Sequence, residues 1–239
     1  MKPYHIFLNP KNALKSVEEY KELVAGYSGI QQEVVMFVPP VFVEKVANLG
    51  VEVLGKVGVG VQGVRLSEGG GTGSTDPQFI SQFGVKYGLV GHSDERRAGM
   101  TAEEVERILA AAPDTITLVV CVGEATPTSD IMETLYQELE NLHRLKITKN
   151  FVIFVAYEPQ WLISTNKDDM FGMIHEEVVT HCIRTIEHIR SLGFDQVLYG
   201  GSVSDFSAEE LSQFNVDGFL IGSLSRKPDE LAQFINSLK

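Results

Sequence analysis

The sequence predicts an α/β protein whose β-then-α units close into a (β/α)8 barrel, a single domain over residues 1–239. Three observations point there. Short β-branched runs alternate with amphipathic stretches from one end of the chain to the other. The runs are mostly continuous in apolar character, as expected of strands covered on both faces in a parallel sheet. The repeat is about 30 residues, the size of one βαβ step. Eight such units sum to a closed barrel, although an open doubly wound sheet shares the alternation.

The strands fall at 5–8, 33–38, 58–62, 87–90, 117–121, 151–156, 196–199 and 218–221. Among the helices, 174–192 is the plainest, because Ile174, Val178, Cys182, Ile186 and Ile189 recur every three or four residues on one face. Others are expected at 14–27, 102–112, 131–145 and 229–238. Gly69, Gly70, Gly71, Thr72 and Gly73 make one surface loop, too short to separate domains. Gly58, Gly60 and Gly63 fit a dinucleotide-binding pattern, but that pattern needs a glycine turn after a strand and before a helix. Here the glycines lie within a strand and no helix follows, so the match is rejected.

Composition narrows the function. Hydrophobic residues make up 44% of the chain and charged residues 22%, ordinary for a globular protein that buries its own core. The net charge of −12 disfavours nucleic acid or an anionic membrane as a partner. It also means that an anionic substrate must be held by local groups. The start of the chain lacks the apolar core of a signal peptide. The longest apolar stretch, 34–43, is broken by Pro39 and Pro40 and is too short to span a bilayer. Cys121 and Cys182 lie in apolar runs and read as buried, reduced thiols. A cytoplasmic protein is expected, with no cofactor and no metal, since no cysteine–histidine cluster has metal spacing.

In a barrel, catalytic groups come from the C-terminal ends of strands and the loops after them. Asn9 and Lys11 follow the first strand. His92 follows the fourth, with Ser93, Asp94, Glu95, Arg96 and Arg97 behind it. A histidine there can polarise a carbonyl or shuttle protons, or be a hydrogen-bonded structural group. The acids and arginines after it read as an ion-pair network bracing the loop. Glu158 ends the sixth strand beside Pro159 and Trp161, the chain's only tryptophan. Burial there favours a carboxylate that takes up protons, against the alternative of a solvated glutamate before a structural turn. Ser164, Thr165 and Asn166 are small polar residues suited to a moving lid. Gly200, Gly201 and Ser202 after the seventh strand, and Gly222 and Ser223 after the eighth, expose main-chain N–H groups where a helix begins. Paired at adjacent strands, they make an anion site.

Taken together these motifs resemble the triosephosphate isomerase family, whose fold is the TIM barrel. The resemblance is carried by Gly91-His92-Ser93 with Glu95-Arg96-Arg97, by Ala156-Tyr157-Glu158-Pro159 with Trp161, by Tyr199-Gly200-Gly201-Ser202-Val203, and by Asp217-Gly218-Phe219-Leu220 with Gly222. Cys121-Val122-Gly123-Glu124, Thr72-Gly73, and Asn9 with Lys11 add to it. The motifs run in order from residue 5 to about residue 235.

The resemblance implies an isomerase that interconverts dihydroxyacetone phosphate and glyceraldehyde 3-phosphate through an enediolate. It implies Glu158 as the base, His92 as the neutral electrophile, and Asn9 and Lys11 as groups that steady the enediolate. Ser164, Ser202, Gly222 and Ser223 would hold the phosphate, and a closing lid would keep water from the intermediate. It also implies a homodimer through the 69–75 loop, with Gly69, Thr72, Gly73 and Thr75. The chain departs from the family's usual pattern in four places: the extra acid Asp94, Pro10 between Asn9 and Lys11, the lid residues Gln160, Leu162, Ser164 and Asn166, and Ser223 in place of a glycine. Either Asp94 or Glu95 fills the family's acidic position after the histidine. A four-carbon ketose phosphate as substrate, or a sugar-phosphate-binding paralogue without activity, are the competing readings. Retention of Asn9, Lys11, His92 and Glu158 argues against the last.

Overall fold

The computed structural model describes residues 4–49, 55–67, 74–149, 152–163 and 173–238. Eight parallel strands close in sequence order, with β1 paired to both β2 and β8. They are β1 His5–Leu8, β2 Val34–Val38, β3 Val57–Val61, β4 Tyr87–Val90, β5 Thr117–Val122, β6 Ile153–Tyr157, β7 Val197–Tyr199 and β8 Gly218–Ile221. This is the expected (β/α)8 TIM barrel, and the open-sheet alternative is excluded by the β1–β8 ladder, whose register pairs His5 with Gly218 and Leu8 with Ile221.

Side chains alternate across a strand, so each strand feeds two cores. Phe7, Phe37, Leu89, Val119, Cys121, Phe154, Ala156, Leu198 and Leu220 point inward and fill the barrel. Phe7 stacks on Phe37 with ring centroids 5.8 Å apart and meets Phe154 edge-on at 5.0 Å. Their neighbours, among them Ile6, Leu8, Met36, Val120, Val155, Tyr157 and Ile221, point outward to the helices. Both faces are apolar, which is why the sequence shows continuous runs rather than alternation.

Among the described residues the helices are α1 Val17–Gly26, α2 Pro40–Ala47, α3 Pro77–Ile80, α4 Ser93–Arg97, α5 Ala102–Ala111, α6 Ser129–Lys149, α7 Gln160–Ile163, α8 His175–Ser191, α9 Ala208–Gln213 and α10 Pro228–Ser237. Ser16 caps α1 by accepting the Glu19 N–H, and Thr101 and Glu104 form a reciprocal capping box on α5. Helix α6 outruns the expected 131–145. Its polar last turn is held from outside, by Lys146 Nζ donating to the Gly193 carbonyl at 2.6 Å and reaching Asp195 at 3.0 Å. Helix α2 is an addition to the elements expected from sequence. Pro40, which breaks the apolar run in sequence, stands in the first helical turn, where a missing N–H costs nothing.

Gly58 and Gly60 lie inside β3, in keeping with the rejection of the dinucleotide pattern. Cys121 and Cys182 are buried free thiols, as expected. Among the described residues no helix is long and apolar enough to cross a membrane. Phe151, Ser164 to Asn166, and Gly69 to Gly73 of the expected dimer loop lie outside the described residues.

The arginines behind His92 brace the mouth as expected. Arg96 donates from Nε to the Gly91 carbonyl at 3.0 Å and from a terminal nitrogen to the Cys121 carbonyl at 3.1 Å, and pairs with Glu138 of α6. One guanidinium thus ties the ends of β4 and β5 to a helix. Burial raises the Glu138 carboxyl, and the Arg96 charge opposes that rise without cancelling it. Removing Arg96 would strand a largely buried acid. Arg96→Ala should lower unfolding free energy by about 3 kcal/mol. Urea denaturation measures this, and a loss below about 1 kcal/mol would show that the tie carries little stability.

Candidate active site

The cavity at the barrel mouth is the next inward layer of the strands. Inward positions recur every second residue, so the sequence of inward groups is Phe7 then Asn9, Cys121 then Gly123, Ala156 then Glu158, Leu198 then Gly200, and Leu220 then Gly222. The ladder holds this layer in place beyond the strand ends. Asn9 N–H donates to the Ile221 carbonyl at 2.8 Å, Glu158 N–H to Val122 at 2.7 Å, and Gly200 N–H to Tyr157 at 2.8 Å. Glycines make the room. A Cβ on Gly123 would fall 1.9 Å from the Glu158 carbonyl oxygen, and one on Gly200 would fall 2.8 Å from the Glu158 side chain.

Asn9, Lys11, His92, Glu158, Ser202, Gly222 and Ser223 all line one cavity of about 320 Å³. Seven of the eight expected site residues therefore come together, and Ser164 lies outside the described residues. Glu158 is buried, at 3% exposure, and so are His92 at 7% and Asn9 at 4%. The Ser93 N–H donates to Glu158 Oε2 at 3.0 Å. Glu158 Oε1 lies 3.4 Å from His92 Nε2.

The histidine's orientation follows from the helix behind it. His92 is the N-cap of α4, and its Nδ1 accepts the Asp94 N–H at 3.1 Å, while Glu95 Oε2 accepts the His92 N–H at 3.3 Å. A ring nitrogen that accepts carries no proton, so the neutral ring presents Nε2–H to the cavity. The two candidate acids divide their work. Asp94 pairs with Lys11 Nζ at 2.9 Å and with Arg97, whereas Glu95 caps the helix and lies 3.9 Å from Arg65. Burial works to raise the Asp94 carboxyl. The hydrogen bond from Lys11 and the charges of Lys11 and Arg97 outweigh it and hold the group below the ordinary carboxylate range.

Lys11 has φ of 56°, left-handed for a residue with a side chain, at a cost of about 1 kcal/mol. Its neighbours hold it there. Its N–H donates to Asn9 Oδ1 at 3.2 Å, and its carbonyl accepts from Gln62 Nε2 at 3.3 Å. The same Gln62 amide donates to Asn9 Oδ1 at 3.1 Å and to the Phe37 carbonyl at 3.0 Å. Gln62 thus orients Asn9, whereas the sequence alone places it only as the last residue of a strand. Its signal is positional: it follows β3, at the same barrel end as the other groups.

Beneath Glu158, Cys121 is wholly buried. Burial first, then the charges of Glu158 and Glu95, push its thiol well above its ordinary value, so it stays protonated. To the side, Glu124 Oε1 accepts from Tyr157 Oη at 2.8 Å and Trp161 Nε1 at 2.8 Å, and pairs with His181 Nε2 at 2.9 Å. This buried cluster pins α7, whose last residue, Ile163, also lines the cavity. Among the described residues no three His, Cys, Asp or Glu side chains gather as a metal site.

A closed parallel barrel with a carboxylate, an imidazole, an ammonium and two glycine-rich turns around one mouth is an enzyme architecture for a small molecule. The chain belongs to the triosephosphate isomerase family: the family model described as "Triosephosphate isomerase" matches residues 4–238. Named relatives agree. A triosephosphate isomerase of Psychromonas ingrahamii is 31% identical over 220 residues, covering 87% of this chain and 86% of that protein. One of Pseudomonas entomophila is 32% identical over 83% of this chain and 82% of its own length. One of Thermoanaerobacter pseudethanolicus is 29% identical over 98% of this chain and 96% of its own.

Gln62→Leu tests the site's geometry separately from its chemistry. Losing the amide leaves Asn9 and Lys11 without a shared donor, and kcat/KM should fall about tenfold, the scale of one or two buried hydrogen bonds. Steady-state kinetics reads the loss, and unchanged kinetics in a folded variant would mean that Asn9 needs no such support.

Proposed function

We propose that this chain interconverts dihydroxyacetone phosphate and D-glyceraldehyde 3-phosphate by proton transfer through an enediolate. The observation that carries this reading is the 3.4 Å approach of Glu158 Oε1 to His92 Nε2, a proton acceptor and a proton donor facing one cavity. The names of the relatives support the same reaction.

In this mechanism Glu158 takes the proton from the carbon beside the carbonyl. The electron pair of the broken C–H bond forms the carbon–carbon double bond, and the carbonyl π pair moves to oxygen. His92 Nε2–H and the Asn9 amide stabilise the negative oxygen, and Lys11 adds a positive charge. A proton passes by way of His92 from the hydroxyl oxygen to the former carbonyl oxygen, and Glu158 returns its proton to the neighbouring carbon as the first oxygen becomes the carbonyl. A placed general base contributes about 10²–10⁴-fold. Fixed donors at the developing oxyanion add several kcal/mol, because they need no reorientation as charge appears.

The phosphate belongs at the turns after β7 and β8. The 3-10 turns Val203–Asp205 and Ser223–Arg226 open there, and their first N–H groups have no partner within the turn. Ser202, Gly222 and Ser223 thus take the phosphate in this reading, with Ser164 as a further contact.

A coupled assay on both three-carbon phosphates tests the reading. The expected result is ready turnover, reduced at least about a hundredfold in Glu158→Ala. Turnover that survives the substitution would remove Glu158 from the base role. Turnover only of a four-carbon ketose phosphate would change the substrate and keep the chemistry.

A further inference from the structure

We propose that Arg226 is the cation of the anion pocket, contacting the phosphate of the substrate directly and setting the enzyme's preference for it. This rests on the cavity reading given above. Two basic residues line the cavity, Lys11 and the exposed Arg226. Lys11 is already engaged, 2.9 Å from Asp94. Arg226 has no ion-pair partner among the described residues. In a chain of net charge −12, such a guanidinium on a concave wall opposes the overall field and concentrates positive potential where an anion must enter.

Its position is fixed as well as its charge. Arg226 closes the 3-10 turn that Ser223 opens, and at about 2 Å of rise per residue its backbone lies roughly 6 Å from Ser223. An extended arginine side chain spans that distance. The turn is pinned on its buried side. Ser225 is fully buried, with its N–H 3.0 Å and its Oγ 2.5 Å from the Gly222 carbonyl, and Tyr27 Oη donates to the Ser225 carbonyl. Lys227 N–H closes onto the Leu224 carbonyl at 3.0 Å. A planar fork on a rigid base can meet two phosphate oxygens together, which a lone ammonium cannot. The next residue, Lys227, is a built-in comparison, because its Nζ is held 3.0 Å from Glu230.

Binding of inorganic phosphate, measured by calorimetry at about 0.1 M salt and as competitive inhibition, tests the assignment. Arg226→Ala should weaken phosphate roughly tenfold, the scale of a lost charge-assisted hydrogen bond. It should raise KM for the phosphorylated substrate more than it lowers kcat. Arg226→Lys should fall between, keeping charge without the fork, and Lys227→Ala should bind phosphate as the unaltered chain does. Circular dichroism confirms that each variant is folded. Unaltered phosphate affinity in Arg226→Ala, or an equal loss in Lys227→Ala, would overturn the proposal. If the unaltered protein isomerised no triose phosphate yet lost phosphate affinity in Arg226→Ala, the reaction would fall and this assignment would stand.

Discussion

The 3.0 Å hydrogen bond from the Ser93 N–H to Glu158 joins the ends of β4 and β6 across the barrel mouth, and the remaining geometry is arranged around it. Ser93 is the first residue of α4, so its N–H has no partner within the helix and is available to an anion. The helix cap is His92 itself, so one short helix orients the imidazole and holds the carboxylate. Gly123 and Gly200 leave the space in which Glu158 sits, and Arg96 keeps β4 and β5 at the spacing this bond requires. A side chain at Gly123 would collide with the Glu158 backbone and one at Gly200 with its side chain, so either would displace the proposed base.

The electrostatics are local rather than global. A chain of net charge −12 repels a phosphorylated sugar at long range, yet the mouth holds a neutral imidazole, a lysine, an arginine and the leading N–H groups of two turns. Asp94 moderates this field by pairing with Lys11, and the pairing keeps the Asp94 carboxyl ionised. The lysine thereby stays where the left-handed backbone at φ 56° aims it, with its charge partly offset until substrate competes for it.

The barrel is legible in the sequence because covering a strand on both faces leaves an unbroken apolar run, and eight such runs recur, about 30 residues apart on average. Strand positions agree with those read from sequence to within a residue or two. Helices with several turns show themselves by their periodicity, whereas α3, α4, α7 and α9 are too short to show a period. Helix α2 is hidden by its prolines. At the site, residues with reactive side chains stand out, but Gln62 does not, because its importance lies in three acceptors, two from the segment after β1 and one from β2, that only folding brings together. Arg226 is likewise inconspicuous in sequence. Its significance comes from standing at the cavity without an ion-pair partner among the described residues. The choice between Asp94 and Glu95 also needs coordinates, since both follow His92 and only their directions differ.

Isomerisation in D2O tests the central claim most directly, because it follows the hydrogen itself. A carboxylate that removes a proton and returns it can exchange that proton with solvent while the enediolate exists. The account predicts product carrying solvent deuterium at the carbon that receives the proton, detected by proton NMR. Product formed at full rate with no deuterium at that carbon would point to direct hydride migration and contradict the role given to Glu158.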